Sequence, residues 1–156
     1  MKLSYCFLCI ALFAYSCSTQ EVCEEDSISE LVASFKTETG GILHDTILSA
    51  LKIYGIRDGQ DIWYLYDTVS GSDILLPLDP HHNESRFVFQ TTGQTDTLTL
   101  GHSSELYLIS YACGFGNLFS LGTIQYKGGM IVKDSLINPV IHASLEEDEI
   151  HIWLYF

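Results

Sequence analysis

Thr95-Asp96-Thr97-Leu98-Thr99-Leu100 decides the fold class. Threonine at 95, 97 and 99 alternates with Asp96, Leu98 and Leu100, so an extended chain carries hydroxyls on one face and two leucines on the other. A period of two marks a strand with one side in a core and one in water, and β-branched threonine suits that pleated surface. The turn Thr92-Gly93-Gln94 precedes it, and Arg86-Phe87-Val88-Phe89-Gln90 lies before the turn. Two such runs joined by a short glycine-bearing loop predict a β-hairpin.

The same pattern recurs in both directions. Downstream, residues 106–113 form an apolar run that reads as a buried strand, and further strands are expected over 119–126, 130–137 and 150–156. Upstream, strands are expected over 31–37, within 46–56, over 62–66 and over 74–78, where Pro77 marks an edge position. Gly40-Gly41, Arg57-Asp58-Gly59-Gln60, Ser70-Gly71-Ser72-Asp73 and Asp79-Pro80-His81-His82-Asn83-Glu84 supply breaks and turns. About nine or ten short strands with polar turns predict an all-β domain over 30–156: a single antiparallel two-sheet β-sandwich of the immunoglobulin-like or Greek-key type, with an open barrel as the alternative.

Composition agrees. The chain is 47% hydrophobic and 12% aromatic, too apolar for wholesale disorder, and poor in the alanine, lysine and arginine that favour helices. Its formal charge of −13 repels nucleic-acid backbones and anionic lipid head groups. Neither nucleic acid nor a basic membrane-binding patch fits that balance. Attachment to a membrane would require a covalent anchor.

The N-terminus offers one. Lys2 precedes the apolar run Tyr5 to Ala14, which is shorter than the ~20 residues that span a bilayer and has the form of a secretory signal. Phe13-Ala14-Tyr15-Ser16-Cys17 resembles a lipobox, in which the cysteine is diacylated, for instance with palmitate, and becomes the mature N-terminus. Ala14 and the bulky Tyr15 depart from the usual pattern, and Ala14-Tyr15-Ser16 also suits ordinary signal peptidase, leaving simple secretion as the rival. The expected layout is a lipoprotein signal peptide over 1–16, an acidic tether over 17–29 and the sandwich from 30. The expected address is the cell envelope, as an outer-membrane lipoprotein facing the periplasm or the surface. Two acyl chains anchor durably where one does not.

Five cysteines follow from this layout. Cys6 and Cys9 leave with the leader, Cys17 takes the lipid, and Cys23 and Cys113 remain. In an oxidising compartment the last two form a natural disulfide, closing a loop of about 90 residues with a chain-entropy stabilisation of about 4–5 kcal/mol. The rival places a nucleophile at Cys113 in Ala112-Cys113-Gly114, but no cationic residue lies close in sequence to lower the thiol pKa.

The chain resembles a family of small Bacteroidota envelope lipoproteins of uncharacterised function. The resemblance rests on Cys23-Glu24-Glu25-Asp26, Ile53-Tyr54-Gly55, the segment Ile74 to Asp79, the segment Thr95 to Leu100, Ile109-Ser110-Tyr111-Ala112-Cys113-Gly114 and Ile150-His151-Ile152-Trp153. It supports the envelope address and the Cys23–Cys113 pair and implies no activity. In that lineage Asp-Ser/Thr triplets before an aliphatic or small residue accept O-glycans, which nominates Ser27, Thr46, Thr68, Thr97 and Ser135.

Chemistry-bearing constellations are sparse. His81 and His82 with Asp79 and Glu84 contain metal-ligating residue types, though a solvated loop explains them equally. Asp58 and Asp61 around Gly59, and the run Glu146 to Glu149, lack the spacing of a dedicated calcium loop. Trp63, Tyr64, Tyr66 and Trp153 could stack on sugars or pack on sheet faces. No nucleophile elbow, phosphate loop or zinc-protease helix occurs. The expectation is a non-enzymatic interaction or accessory module with no cofactor, no metal and an unidentified protein or glycan partner. A glycan-binding module is the alternative, and a hydrolase using unidentified carboxylates is a third.

Overall fold

The computed structural model describes residues 29–57, 61–111, 113–142 and 149–156. In these residues the chain is all-β, as the alternation predicts. In chain order the strands are β1 (Glu30–Thr39), β2 (Ile42–Asp45), β3 (Lys52–Arg57), β4 (Asp61–Tyr66), β5 (Asp73–Pro77), β6 (Glu84–Gln90), β7 (Thr95–Ser110), β8 (Gly114–Lys127), β9 (Lys133–Leu136), β10 (Val140–Ile141) and β11 (Ile152–Tyr155). They form two open sheets, neither closed into a barrel, which is the expected sandwich.

β1 runs through the middle of the first sheet. β5 pairs antiparallel with its first half, Val32 opposite Leu75, and β2 with its second half, Lys36 opposite Asp45. On its other side lies β11, followed by β9. The β1–β11 pair is parallel, with Ala33 opposite Ile152 and Phe35 opposite Leu154, whereas the other ladders are antiparallel. A parallel pair requires a long crossover, and here nearly the whole chain intervenes. The second sheet runs β10-β8-β7-β6-β3-β4.

The two inner faces meet in one core. Leu31, Ala33, Phe35, Ile74, Leu76, Ile152 and Leu154 of the first sheet pack against Ile53, Phe87, Phe89, Leu98, Leu100 and Phe119 of the second. Phe35 sets its edge to both Phe89 and Phe156, at 6.3 and 5.2 Å between ring centroids. Each fully buried leucine or phenylalanine contributes about 1.5–3 kcal/mol. At the edge, the Tyr66 hydroxyl of β4 accepts the Leu75 N–H of β5 at 2.8 Å and reaches the Leu75 carbonyl at 3.2 Å, joining the two sheets by side chain.

β7 is longer than the alternation alone suggests. Gly101 to Glu105 reads as a polar interruption, yet β8 pairs straight across it. The register steps from Gly101–Thr123 to His102–Leu121, so Gly122 is an extra residue in β8. That bulge returns Leu121 and Phe119 to the core face beside His102, the usual effect of one inserted residue on side-chain direction.

Candidate functional site: a Trp63–Asp79 groove and the β7–β8 ribbon

The inward face of the second sheet turns polar where β3 and β6 meet the Leu78–Asn83 loop. Alternation puts Phe89, Phe87 and then Ser85 inward on β6, and Leu98, Leu100 and then His102 inward on β7. Ser85 Oγ and His102 Nε2 lie 2.8 Å apart, and Ser85 Oγ also accepts the Asp79 N–H at 2.8 Å. The imidazole packs edge-on against Phe119, with centroids 5.2 Å apart. Burial holds the His102 pKa below the ordinary histidine value, although the Asp79 charge works the other way.

Asp79 is buried to 7% exposure, and its carboxylate has defined partners. Arg57 Nε is 2.8 Å from Oδ2, His82 Nδ1 is 3.1 Å from Oδ2, and the His81 N–H reaches Oδ1 at 2.9 Å. Burial alone would raise its pKa. The His81 amide, His82 and Arg57 outweigh that and hold the carboxyl below the usual aspartate value. The hydroxyl–imidazole distance is one that nucleophile–base pairs use. Here, however, the neighbouring carboxylate orients Arg57 and His82 rather than the far side of the ring, and Ser85 is only 6% exposed.

Trp63 borders this network. It stands opposite Gly55 in the β3–β4 ladder, and its indole lies across the glycine, where a Cβ would meet Trp63 Cζ2 at 2.1 Å. Only glycine leaves room for that ring. Arg57 sits over the indole, 5.3 Å from its centroid, within cation–π range. Ile56, Arg57, Trp63, Asp79, His82, Glu84, Ser85 and Arg86 line a groove of about 320 Å³. It combines one aromatic face with fixed charges of both signs, and Arg86 pairs with Glu84 beside it. A groove of this kind suits a small polar ligand that presents a flat apolar face and several hydroxyls.

The other singled-out residues disperse. Trp153 lies in the first sheet, half-buried, with the Lys36 ammonium 5.2 Å from its ring centroid. Tyr64 is exposed and tilts against Tyr54 at 5.8 Å, and Tyr66 is engaged with Leu75. The four aromatics therefore form no common platform. Asp79 bonds both His82 and Arg57, and no three histidine, cysteine or acidic side chains gather as a metal-binding group among the described residues. Asp58, Gly59 and residues 146–148 lie outside the described residues, as do Cys17, Cys23 and Ser27. Of the remaining glycosylation candidates, Thr68 is exposed in the loop after β4, while Thr46, Thr97 and Ser135 are half-buried.

At one end of the second sheet β7 and β8 run on together. β6 stops opposite Gly101, and β10 pairs as far as Phe119, which stands opposite Ser104, so from Glu105 onward the pair is a two-stranded ribbon among the described strands. The Cys113 N–H bonds Ser110 Oγ at 2.9 Å in the ribbon's turn. The Ser29 hydroxyl donates to the Asn117 carbonyl of β8, so the chain joins β1 from beside the ribbon's base. Leu106, Leu108, Tyr111 and Phe115 near the tip are 75, 45, 100 and 67% exposed.

Sequence reasoning missed Arg57, Ser85 and His102. Only the ladder register brings them beside Asp79 from β3, β6 and β7.

Fold and site define an all-β sandwich with a charged, tryptophan-lined groove and a protruding apolar ribbon. The chain belongs to a family of unknown function, DUF6452, which matches residues 50–156. That span covers β3 to β11 and Cys113, while β1, β2 and everything upstream lie outside it. No curated protein and no solved structure matches the chain.

Proposed function

We propose that the chain is an exported envelope lipoprotein, diacylated at Cys17, whose sandwich serves as a non-enzymatic interaction module. One observation carries the reading: the chain comes in at Ser29 against Asn117, on the same strand that begins beside Cys113. Cys23 is six residues before Ser29, a span of up to about 20 Å, and Cys113 is four residues from Asn117, about 13 Å along the strand. A Cys23–Cys113 disulfide is therefore within reach, and it would bind the acidic tether to the ribbon. Intact mass and non-reducing peptide mapping of protein extracted from native membranes test this. The expected result is diacylglyceryl-modified Cys17 and a linked Cys23–Cys113 peptide. An unmodified N-terminus together with a free Cys113 thiol would sink it. The same map reads O-glycan occupancy, expected first at Ser27 in the tether and at exposed Thr68.

A second reading makes the groove a glycan site. It rests on Trp63, held across Gly55 with Arg57, Asp79, His82 and Arg86 around it. Stacking on an aromatic face together with hydrogen bonds from fixed charged groups is how sugar rings are held. Glycan-array binding that disappears in Trp63→Ala and survives Trp153→Phe would support it, whereas equal binding by both variants would reject it.

A further inference from the structure

We infer that the tip of the β7–β8 ribbon is a lipid-docking finger, which enters the bilayer interface beside the acylated N-terminus; this rests on the lipoprotein reading above. In the ladder Leu108 stands opposite Phe115 and Leu106 opposite Asn117, which puts Leu106, Leu108 and Phe115 on one face. Tyr111 extends from the turn beyond them, fully exposed. Between Ser103 and Leu118 the only ionised side chain among the described residues is Glu105, on a protein of net charge −13. An uncharged apolar tip on so acidic a body suits a surface that charge would otherwise repel.

Where the chain leaves the domain selects lipid over a soluble partner. From Ser29 back to Cys17 is twelve residues, at most about 40 Å of chain. With Cys23 joined to Cys113, the acylated residue lies only six residues, or about 20 Å, from the ribbon's turn. A membrane that holds Cys17 is thus within reach of the tip. The depth is limited by the backbone: the ribbon's outer edges have no strand partner among the described residues, so their N–H and C=O groups must stay hydrated. Insertion stops at the head-group boundary, about 5–10 Å deep, where Tyr107 and Tyr111 find both apolar and polar surroundings. Anchor and finger together fix the orientation of the sandwich, which a flexible tether alone does not.

The test reconstitutes the full lipidated chain into phosphatidylcholine vesicles with brominated acyl chains and reads tryptophan quenching. Phe115→Trp reports on the tip, Ile62→Trp on exposed β4, and the unsubstituted chain supplies the background of Trp63 and Trp153. The expected result is at least a two-fold loss of emission from position 115 and none from position 62, unchanged by salt. If the vesicles carry the protein but position 115 is not quenched, the anchor stands and the finger is overturned. If the protein does not float with vesicles at all, the anchor reading fails and the finger with it. If emission from position 115 shifts blue with protein concentration in the absence of lipid, a second copy covers the tip and the inference is overturned.

Discussion

Asp79 and Asp96 are both buried carboxylates in the second half of the sandwich, and they are used in opposite ways. Asp96 is fully buried and accepts only backbone amides: Gly129 N–H at Oδ1, 2.8 Å, and Met130 and Ile131 N–H at Oδ2, 2.9 and 2.8 Å. It ties the β8–β9 loop to β7. Gly128 is part of the fit, because a Cβ there would stand 1.8 Å from Asp96 Oδ1. Asp79 instead faces two side chains that are themselves about half exposed, Arg57 and His82, and so communicates with solvent through them. A buried charge answered by amides is structure. One answered by half-exposed side chains at a groove is available to a ligand.

Three measurements test that contrast. Asp96→Ala strands the two buried donors of Met130 and Ile131, each worth about 1–3 kcal/mol when unsatisfied, so urea unfolding should show a loss of about 2–6 kcal/mol. A loss below about 1 kcal/mol would mean the loop finds other acceptors and the two aspartates are not different in kind. Asp79→Asn keeps the shape and removes the charge, with an expected cost of about 1–2 kcal/mol at neutral pH because Arg57 can turn to water. Its signature is a pH profile. The wild-type carboxyl titrates below the ordinary aspartate value when folded, so its stabilisation is present at neutral pH and is lost as pH falls through that lowered pKa. The variant should lack this acid limb. A profile unchanged by Asp79→Asn would place the coupling elsewhere.

The smallest expected effect concerns the two buried histidines. Burial lowers the pKa of His102 and of His151 from the ordinary 6.5, opposed at His102 by Asp79 and at His151 by Glu149. Below pH 6.5 the unfolded chain takes up these protons and the folded chain resists them. Stability should therefore fall as pH drops through that value. Chemical denaturation of His102→Gln between pH 5 and 7 should show a shallower slope, the remainder belonging to His151. An identical slope would show that His102 accepts its proton in the folded state.

Alternation over Thr95 to Leu100 is legible because side-chain period and burial coincide there, and it carries the fold class. Asp96 occupies the same face as Leu98 and Leu100, which makes it the one visible sign of a buried carboxylate. Its amide partners lie more than thirty residues on and cannot be read from pattern. β2 and β10 escaped notice because four and two residues are too short to show a period. The Asp79 loop stands out for its histidines, but its true partner Arg57 reads in the sequence as a turn residue. Trp63 was legible as an aromatic and Gly55 as a glycine. Their meeting depends on register, which a one-residue slip would undo.

The Tyr66 hydroxyl on Leu75 has a consequence for the protein in a crowded compartment. β5 is hydrogen-bonded to β1 along one side only, and an open strand edge invites a strand from another molecule. By engaging both the N–H and the carbonyl of Leu75, the phenol occupies the groups that an incoming chain would use first, and Pro77 two residues on offers no N–H at all. One hydroxyl thus works as a guard against edge-to-edge aggregation, and Tyr66→Phe would leave a protein that folds much as before yet is more prone to stick to its own kind.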